Sequence, residues 1–251
     1  MIDFFFSLFW IFSLINIKIK EIDNFFNDYM DINNTNSIKG IFVWMILFTH
    51  KKEYGLKKTL ILSKVTYFLG QNIVVMFLFY SGFGINESLN NKGIIYSKTL
   101  LYKAIILFLK SQIIILFFLA ANIFILKRKI TLRQYILSII FKSAIQNSNW
   151  LAFTIIIFYI YVYLSFYISK KINFGLIILN LICFIHVYFV YNYYFPKCIH
   201  TVETTLSFVS GFYYSLIHKQ LDTILMKNDI RYLAVVSTII CIYYNFTNIG
   251  L

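Results

Sequence analysis

The chain has 251 residues, of which 60% are hydrophobic, 20% are aromatic and only 13% are charged. A soluble domain is about 45–50% apolar and about 25% charged, so this composition excludes an ordinary cytosolic enzyme, a disordered chain and a disulfide scaffold. It predicts an integral membrane protein. The net charge of +13 also occurs in nucleic-acid binders. Here the lysines lie in short segments between apolar runs, as in membrane proteins, so we expect a lipid bilayer and no nucleic acid as partner.

Apolar runs of membrane-spanning length recur along the whole chain. A hydrocarbon core of about 30 Å requires about 20 helical residues. No linker, repeat or soluble stretch separates the runs, so residues 1–251 are predicted to form a single membrane domain with 1–17 as an extra N-terminal span before the bundle of 37–248. The predicted fold is an all-α, multi-pass bundle of about eight spans, at 1–17, 37–55, 67–85, 100–126, 150–169, 174–192, 199–217 and 231–248.

Segment 132–148 has two interpretations. It is short for a span and carries Lys142, Gln146 and Asn147. It is therefore either a ninth span or an interfacial or re-entrant piece. If it does not span, the basic residues divide almost equally between the two sides of the membrane, and the positive-inside rule no longer decides the orientation.

The first span then decides the orientation, because its flanking charges usually dominate. Asp3 precedes it, and Lys18 and Lys20 follow it. These charges favour an outside N-terminus and a cytoplasmic loop 18–36. Asp3 also argues against a signal peptide, whose first residues carry positive charge.

The second span holds two ionisable residues, Lys39 and His50. The predominantly apolar run between them, 41–49, covers about 13.5 Å, less than half of the hydrocarbon core. Ionisable groups at membrane depth are costly and by default indicate function. A spacing of 11 residues places both side chains on one helical face, about 16 Å apart along the axis, so both can line one cavity. The alternative is that Lys39 snorkels to one interface and His50 is a polar cap at the other.

These residues resemble a known family. Lys39, ten further residues and His50 match the Arg/Lys-x10-His motif of the integral-membrane acyltransferases of the acyltransferase 3 type. The resemblance extends over residues 33–230, and the extra first span resembles a branch of bacterial surface-polysaccharide O-acetyltransferases. Three further stretches are similar to family helices: 74–85 with its Phe-rich run and Ser-Gly, 148–166 with its leading Trp, and 202–222 with Phe-x-x-Gly and a basic exit.

The resemblance implies an enzyme of the bacterial cytoplasmic (inner) membrane that transfers an acyl group. The donor is commonly acetyl-CoA, a substrate rather than a bound cofactor, and the acceptor is a hydroxyl of a cell-surface or lipid-linked carbohydrate. His50 suits the role of general base, because imidazole titrates near neutrality. Lys39 and Lys103 begin their helices from the same side and suit the phosphates of coenzyme A. For Lys103, ordinary snorkelling is the alternative. No metal site is predicted.

Three other residues have a functional and a structural interpretation. Ser81 precedes Gly82, and either it contacts the substrate or the pair forms a close contact between two helices. In the second case the serine can donate a hydrogen bond to the neighbouring helix. Trp150 either stacks on a sugar or anchors a helix at the membrane interface. Glu203 either orients His50 and binds a sugar hydroxyl, or is a glutamate at the edge of a loop.

Two other functions compete with the acyltransferase. A transporter or flippase-like carrier is the first, although the sequence shows neither an inverted repeat nor paired broken helices. An inactive, truncated member of the family is the second, because the chain has fewer spans than the family and apparently lacks its C-terminal helices. The Arg-rich start of the family's fourth helix is also reduced here to Lys98, Lys103 and Lys110.

The predicted orientation can be tested with topology reporters fused within 51–66 and within 86–99. The flanking charges of the first span place 51–66 outside and 86–99 in the cytoplasm. We expect a periplasm-active reporter to be active at the first position and a cytoplasm-active reporter at the second. A cytoplasmic 51–66 would overturn this topology.

Overall fold

The computed structural model describes residues 29–49, 62–139, 149–194 and 199–225. Within these ranges the chain is all-helical, as predicted, and contains no strand. The predicted spans 1–17 and 231–248 lie outside the described residues. The seven described helices are α1 (Ile32–Thr49), α2 (Leu62–Lys92), α3 (Tyr96–Phe124), α4 (Leu132–Ile139), α5 (Asn149–Ser169), α6 (Ile172–Tyr194) and α7 (Ile199–Leu225).

Helices α2 and α7 are the most extensively packed pair and run parallel. Ser207 Oγ donates a hydrogen bond to the Val75 carbonyl. Further along the same pair of helices, Ser215 Oγ donates to Glu87 Oε1 at 2.7 Å. Helix α1 packs antiparallel to α2. Tyr29, just before α1, contacts the C-terminal end of α7, where its hydroxyl donates a hydrogen bond to Asp222.

Helices α5 and α7 also run parallel, and aromatic rings join them. Phe158 stacks on Phe208 with ring centroids 4.5 Å apart, and Phe166 stacks on Phe212 at 6.2 Å. All four rings are almost completely buried in the main hydrophobic core. Helix α6 returns beside α5 and completes this side of the bundle.

Helix α3 begins at the end of the bundle where α2 and α5 finish. Gly93, with a φ of +72°, takes the left-handed conformation that the tight turn after α2 requires. Helix α3 packs along α5. Segment 132–148 is predicted to be either a ninth span or an interfacial or re-entrant piece, and its residues 140–148 lie outside the described residues. Its described part is the short helix α4.

Three of the predicted spans are confirmed as helices long and apolar enough to cross a membrane: Tyr96–Phe124, Trp150–Ser169 and Ile172–Asn192. Soluble monomers rarely expose large contiguous apolar faces, yet α3 and α6 each carry one. These faces suit contact with lipid chains. They consist of Ile105, Leu109, Ile113 and Phe117 on α3, and of Ile177, Leu181, Phe184 and Tyr188 on α6.

The contact between α2 and α7 is closest at two glycines. A Cβ atom on Gly82 would lie 2.1 Å from the Phe208 carbonyl oxygen, and one on Gly211 would lie 2.0 Å from the Phe79 carbonyl oxygen. Neither distance leaves room for a methyl group. Of the two residues Ser81 and Gly82, Gly82 therefore has the predicted packing role in a close helix contact. Ser81 itself bonds within its own helix, donating to the Phe77 carbonyl at 2.9 Å.

Replacing Gly211 with alanine is expected to destabilise the bundle, because the new methyl group forces two helix backbones apart. Overpacking of this kind costs about 1–3 kcal/mol. Gly40, with open space around its Cβ position, is the matched control, and its replacement by alanine should raise helix propensity. Thermal unfolding in detergent should show a lower midpoint for Gly211→Ala only. Equal midpoints would contradict the close contact.

Candidate functional site

A polar cavity of about 630 Å³ lies at one end of the bundle. This volume is within the range of about 300–1,000 Å³ that is usual for small-molecule sites. We call this end, where α1, α3 and α6 begin and α2, α5 and α7 finish, the cavity end. The cavity lies between α1, α2 and α7, and its charged or titratable lining comprises Tyr29, Asp31, Lys39, Tyr80, Glu87, Lys92, His218, Lys219 and Asp222.

The cavity is built from polar stretches in which the three helices continue beyond their predicted spans. Helix α1 begins at Ile32 rather than at residue 37, α2 continues to Lys92 rather than 85, and α7 continues to Leu225 rather than 217. Asp31 starts α1, since its carboxylate accepts a hydrogen bond from the Asn33 backbone N–H at 3.0 Å, as helix-capping residues do. Polar residues of these extensions, among them Asn36, Glu87 and Asp222, line the cavity.

A buried polar cluster supports the wall between α2 and α7. Asn86 is completely buried, and its Nδ2 donates to the Phe212 carbonyl at 3.2 Å and to Ser215 Oγ at 3.1 Å. Ser215 Oγ in turn donates to Glu87 Oε1 at 2.7 Å. The serine hydroxyl thus links a buried amide to a carboxylate of the cavity wall and fixes the position of Glu87.

Tyr29 connects the segment before α1 to the end of α7. Its hydroxyl donates to Asp222 Oδ1 at 2.8 Å and lies 2.6 Å from the Tyr214 hydroxyl. A phenol has one hydrogen and a carboxylate can only accept, so Tyr214 donates to Tyr29. Burial and these two hydrogen bonds raise the pKa of Tyr29 far above its ordinary value. Tyr29 therefore remains a neutral donor to Asp222 at physiological pH.

Lys39 is the predicted site residue that the structure places in the cavity. Its side chain is half-buried, and its Nζ lies 5.9 Å from the centroid of the Tyr80 ring, within the distance of a cation–π contact. Two carboxylates of the lining accept hydrogen bonds from hydroxyls, Glu87 from Ser215 and Asp222 from Tyr29. Lys39 thus adds a positive charge to a lining in which these two carboxylates are hydrogen-bonded.

His218 also lines the cavity. Its Nδ1 lies 3.0 Å from the Ser215 carbonyl oxygen. Its ring packs edge-on against Phe83 with centroids 5.2 Å apart and is tilted against Tyr214 at 6.2 Å. A backbone acceptor and two aromatic rings therefore determine the orientation of the imidazole.

The other predicted site residues that the structure describes lie outside the cavity lining. Lys103 lies at the cavity end but is exposed, and its Nζ donates to the Tyr96 hydroxyl at 2.8 Å. Trp150 and Glu203 stand at the beginnings of α5 and α7, at the opposite end. Ser81 lies between the two ends, and His50 lies outside the described residues. Lys39 and Lys103 thus lie toward the same end of the bundle, but Lys39 lines the cavity and Lys103 does not.

Sequence reasoning missed several residues of this cavity. Glu87, His218 and Asp222 follow the ends of predicted spans, where polar residues are usually taken for loop. One signal is present in the spacing: Asn86 lies four residues after Gly82, and Ser215 lies four residues after Gly211. Residues four apart share a helical face, so the faces that meet at the glycines also meet at the polar cluster.

No match to this chain was found among known protein families, curated proteins or solved structures. Any assignment of function to this chain therefore depends on its own residues and their geometry.

Replacing Ser215 with alanine should destabilise the protein, because the buried amide of Asn86 loses an acceptor and Glu87 loses its donor. Loss of a buried hydrogen-bond partner costs about 1–3 kcal/mol. Ser210, exposed on the same helix and bonded only within it at 2.8 Å, is the matched control. Thermal unfolding should be shifted downward by Ser215→Ala and not by Ser210→Ala. Equal shifts would contradict a supporting role for this cluster.

Proposed function

We propose that this protein is a multi-pass O-acyltransferase of a bacterial inner membrane. It moves an acyl group, with acetyl from acetyl-CoA as the expected case, to a hydroxyl of a cell-surface or lipid-linked carbohydrate. The cavity between α1, α2 and α7 is the site of the acyl donor. The observation that carries this proposal is the position of Lys39: the basic residue of the Lys-x10-His pattern lines a ligand-sized polar cavity.

The chemistry of the donor agrees with this cavity. Coenzyme A carries phosphates at one end and a thioester at the other, so its site needs cations at the mouth and a polar chamber beyond. Lys39, Lys92 and Lys219 provide three ammonium groups in the lining. Lysine is an established phosphate-binding residue. The carboxylates Glu87 and Asp222 accept hydrogen bonds from Ser215 and Tyr29. These bonds reduce the electrostatic repulsion between the carboxylates and an anionic ligand.

The expected membrane orientation also supports the donor site. The charges that flank the first span place residues 18–36 in the cytoplasm. The cavity lies at the beginning of α1 and is lined in part by residues of that segment, such as Tyr29 and Asp31, so it faces the cytoplasmic pool of acyl-CoA in this orientation. The roles of His50, Glu203 and Trp150 remain predictions from the sequence.

Replacing Lys39 with methionine should weaken the binding of coenzyme A, because the side chain keeps its length but loses its charge. A charge-assisted hydrogen bond contributes about 1.5–3 kcal/mol, which corresponds to about 10–100-fold in affinity. Lys39→Arg should retain most of the binding. Binding is measured calorimetrically on the full chain in lipid nanodiscs, and transfer by the incorporation of labelled acetyl groups into surface glycan.

The matched control is Lys129→Met, which removes an exposed lysine between α3 and α4, away from the cavity. It should leave both binding and transfer unchanged. Equal weakening by both methionine variants would indicate general loss of charge and contradict the specific role of Lys39. Wild-type protein that neither binds coenzyme A nor transfers acetyl groups would contradict the proposed function.

A further inference from the structure

The cavity contains an imidazole whose protonation pattern follows from its surroundings. His218 Nδ1 lies 3.0 Å from the Ser215 backbone carbonyl. A carbonyl oxygen can only accept a hydrogen bond, so Nδ1 carries the proton. In the neutral ring the other nitrogen, Nε2, then holds the lone pair. The backbone thus selects the tautomer in which Nε2 is the proton acceptor, as the orienting group does for catalytic histidines.

The position of this ring is held from three sides. Phe83 contacts it edge-on, Tyr214 lies against it, and the Ser215 carbonyl fixes its rotation. Ser215 also binds Glu87 and Asn86 through its hydroxyl, so the residue that orients His218 is itself fixed. A base that is held in one orientation before the substrate arrives is what efficient proton transfer requires.

The cavity also brings the groups of an acyl transfer together. Lys39 and His218 line the same chamber, although 179 positions separate them in the sequence. The lysines proposed to hold the donor and the imidazole of His218 therefore border one chamber. His50, by contrast, follows Lys39 by 11 residues along one helix, about 16 Å further along its axis.

We infer that His218 is the general base of the acyl transfer, an assignment that rests on the function proposed above. As the acceptor oxygen bonds to the carbonyl carbon of the thioester, its proton passes to His218 Nε2. The carbon–sulfur bond then breaks, and the electron pair stays on the thiolate of coenzyme A. The imidazolium returns the proton to that sulfur, so that the products are the ester and the free thiol. The acceptor hydroxyl reaches the donor at the cavity end of the bundle.

The first test compares His218→Ala and His218→Gln with wild type in the labelled-acetyl transfer assay. General-base catalysis contributes about 10²–10⁴-fold. Both variants should therefore lose about this factor in kcat, while the affinity for coenzyme A measured by calorimetry stays near the wild-type value. Added imidazole should restore part of the activity of His218→Ala, because the small base can occupy the vacated space. His218→Gln leaves no such space and should not be rescued.

The control variant is His186→Gln, and His50→Ala tests the competing candidate. His186 lies on α6, where its Nδ1 is 2.9 Å from the Tyr161 hydroxyl, and its replacement should leave transfer by the folded protein unchanged. His50→Ala tests the base that the sequence pattern predicts. If His50→Ala is the variant that loses transfer and regains it with imidazole, while His218→Ala stays active, the assignment to His218 is overturned.

A second measurement does not depend on turnover. Diethyl pyrocarbonate acylates the neutral imidazole nitrogen that holds the lone pair, and peptide mass spectrometry separates His218 from the other histidines. Coenzyme A should protect His218 of wild-type protein from modification and should leave His186 unaffected. Modification of His218 that is unchanged by saturating coenzyme A would overturn its place beside the donor.

The two proposals can fail separately. Transfer by His218→Gln at the wild-type rate would remove His218 from the reaction and leave the acyltransferase in place. A wild-type protein that transfers no acyl group would remove both.

Discussion

The close approach of α2 and α7 is the contact on which the rest of the bundle depends. Ser207, Gly211 and Ser215 repeat every four residues along one face of α7, and small residues at this spacing let two helix backbones approach closely within a membrane. On α2, Gly82 occupies the matching position against the Phe208 carbonyl. The two glycines set the separation of the helices, and the serines bond across it to Val75 and Glu87.

Helices α2 and α7 separate an apolar side of the bundle from a polar one. On one side Phe208 and Phe212 extend the contact into an aromatic core with Phe158 and Phe166 of α5. Beyond it α3 and α6 present apolar faces suited to lipid. On the other side α1 packs against α2, and the ends of α1, α2 and α7 form the polar cavity. The charged residues of this cavity therefore lie where helix ends face one another, an arrangement that spares them the cost of exposure to hydrocarbon.

Much of the helical architecture could be predicted from the sequence, because apolar runs of about 20 residues have few structural alternatives in a bilayer. The positions of α3, α5 and α6 follow directly from these runs. The role of Gly82 in packing could also be derived from its residue type. Spacing predicted that Lys39 lines a cavity together with His50; Lys39 does line one, and His50 lies outside the described residues. Hydropathy could not give the true ends of α1, α2 and α7. It marks where the residues become polar, whereas a helix continues when its polar residues lie against protein.

The cavity wall depends on contacts that no local pattern records. Asn86 and Ser215 are 129 residues apart, and their pairing depends on which helices are neighbours and in which direction each runs. The parallel arrangement of α2 and α7 was not evident from the sequence, and neither was the return of Tyr29 to Asp222. His218 could be recognised as a site residue only from the fold, which places it in the lining of the same cavity as Lys39.

The sequence distance across the α2–α7 contact also has a consequence for biosynthesis. Glu87 and Ser215 are 128 residues apart, so at about 5–20 residues per second the ribosome takes about 6–25 s to deliver the second after the first. During that interval α2 has its buried amide and carboxylate without their partners on α7. Until α7 has been synthesised, the polar residues of a nascent α2 therefore need an environment that can hydrogen-bond to them, such as the insertion machinery or the membrane interface.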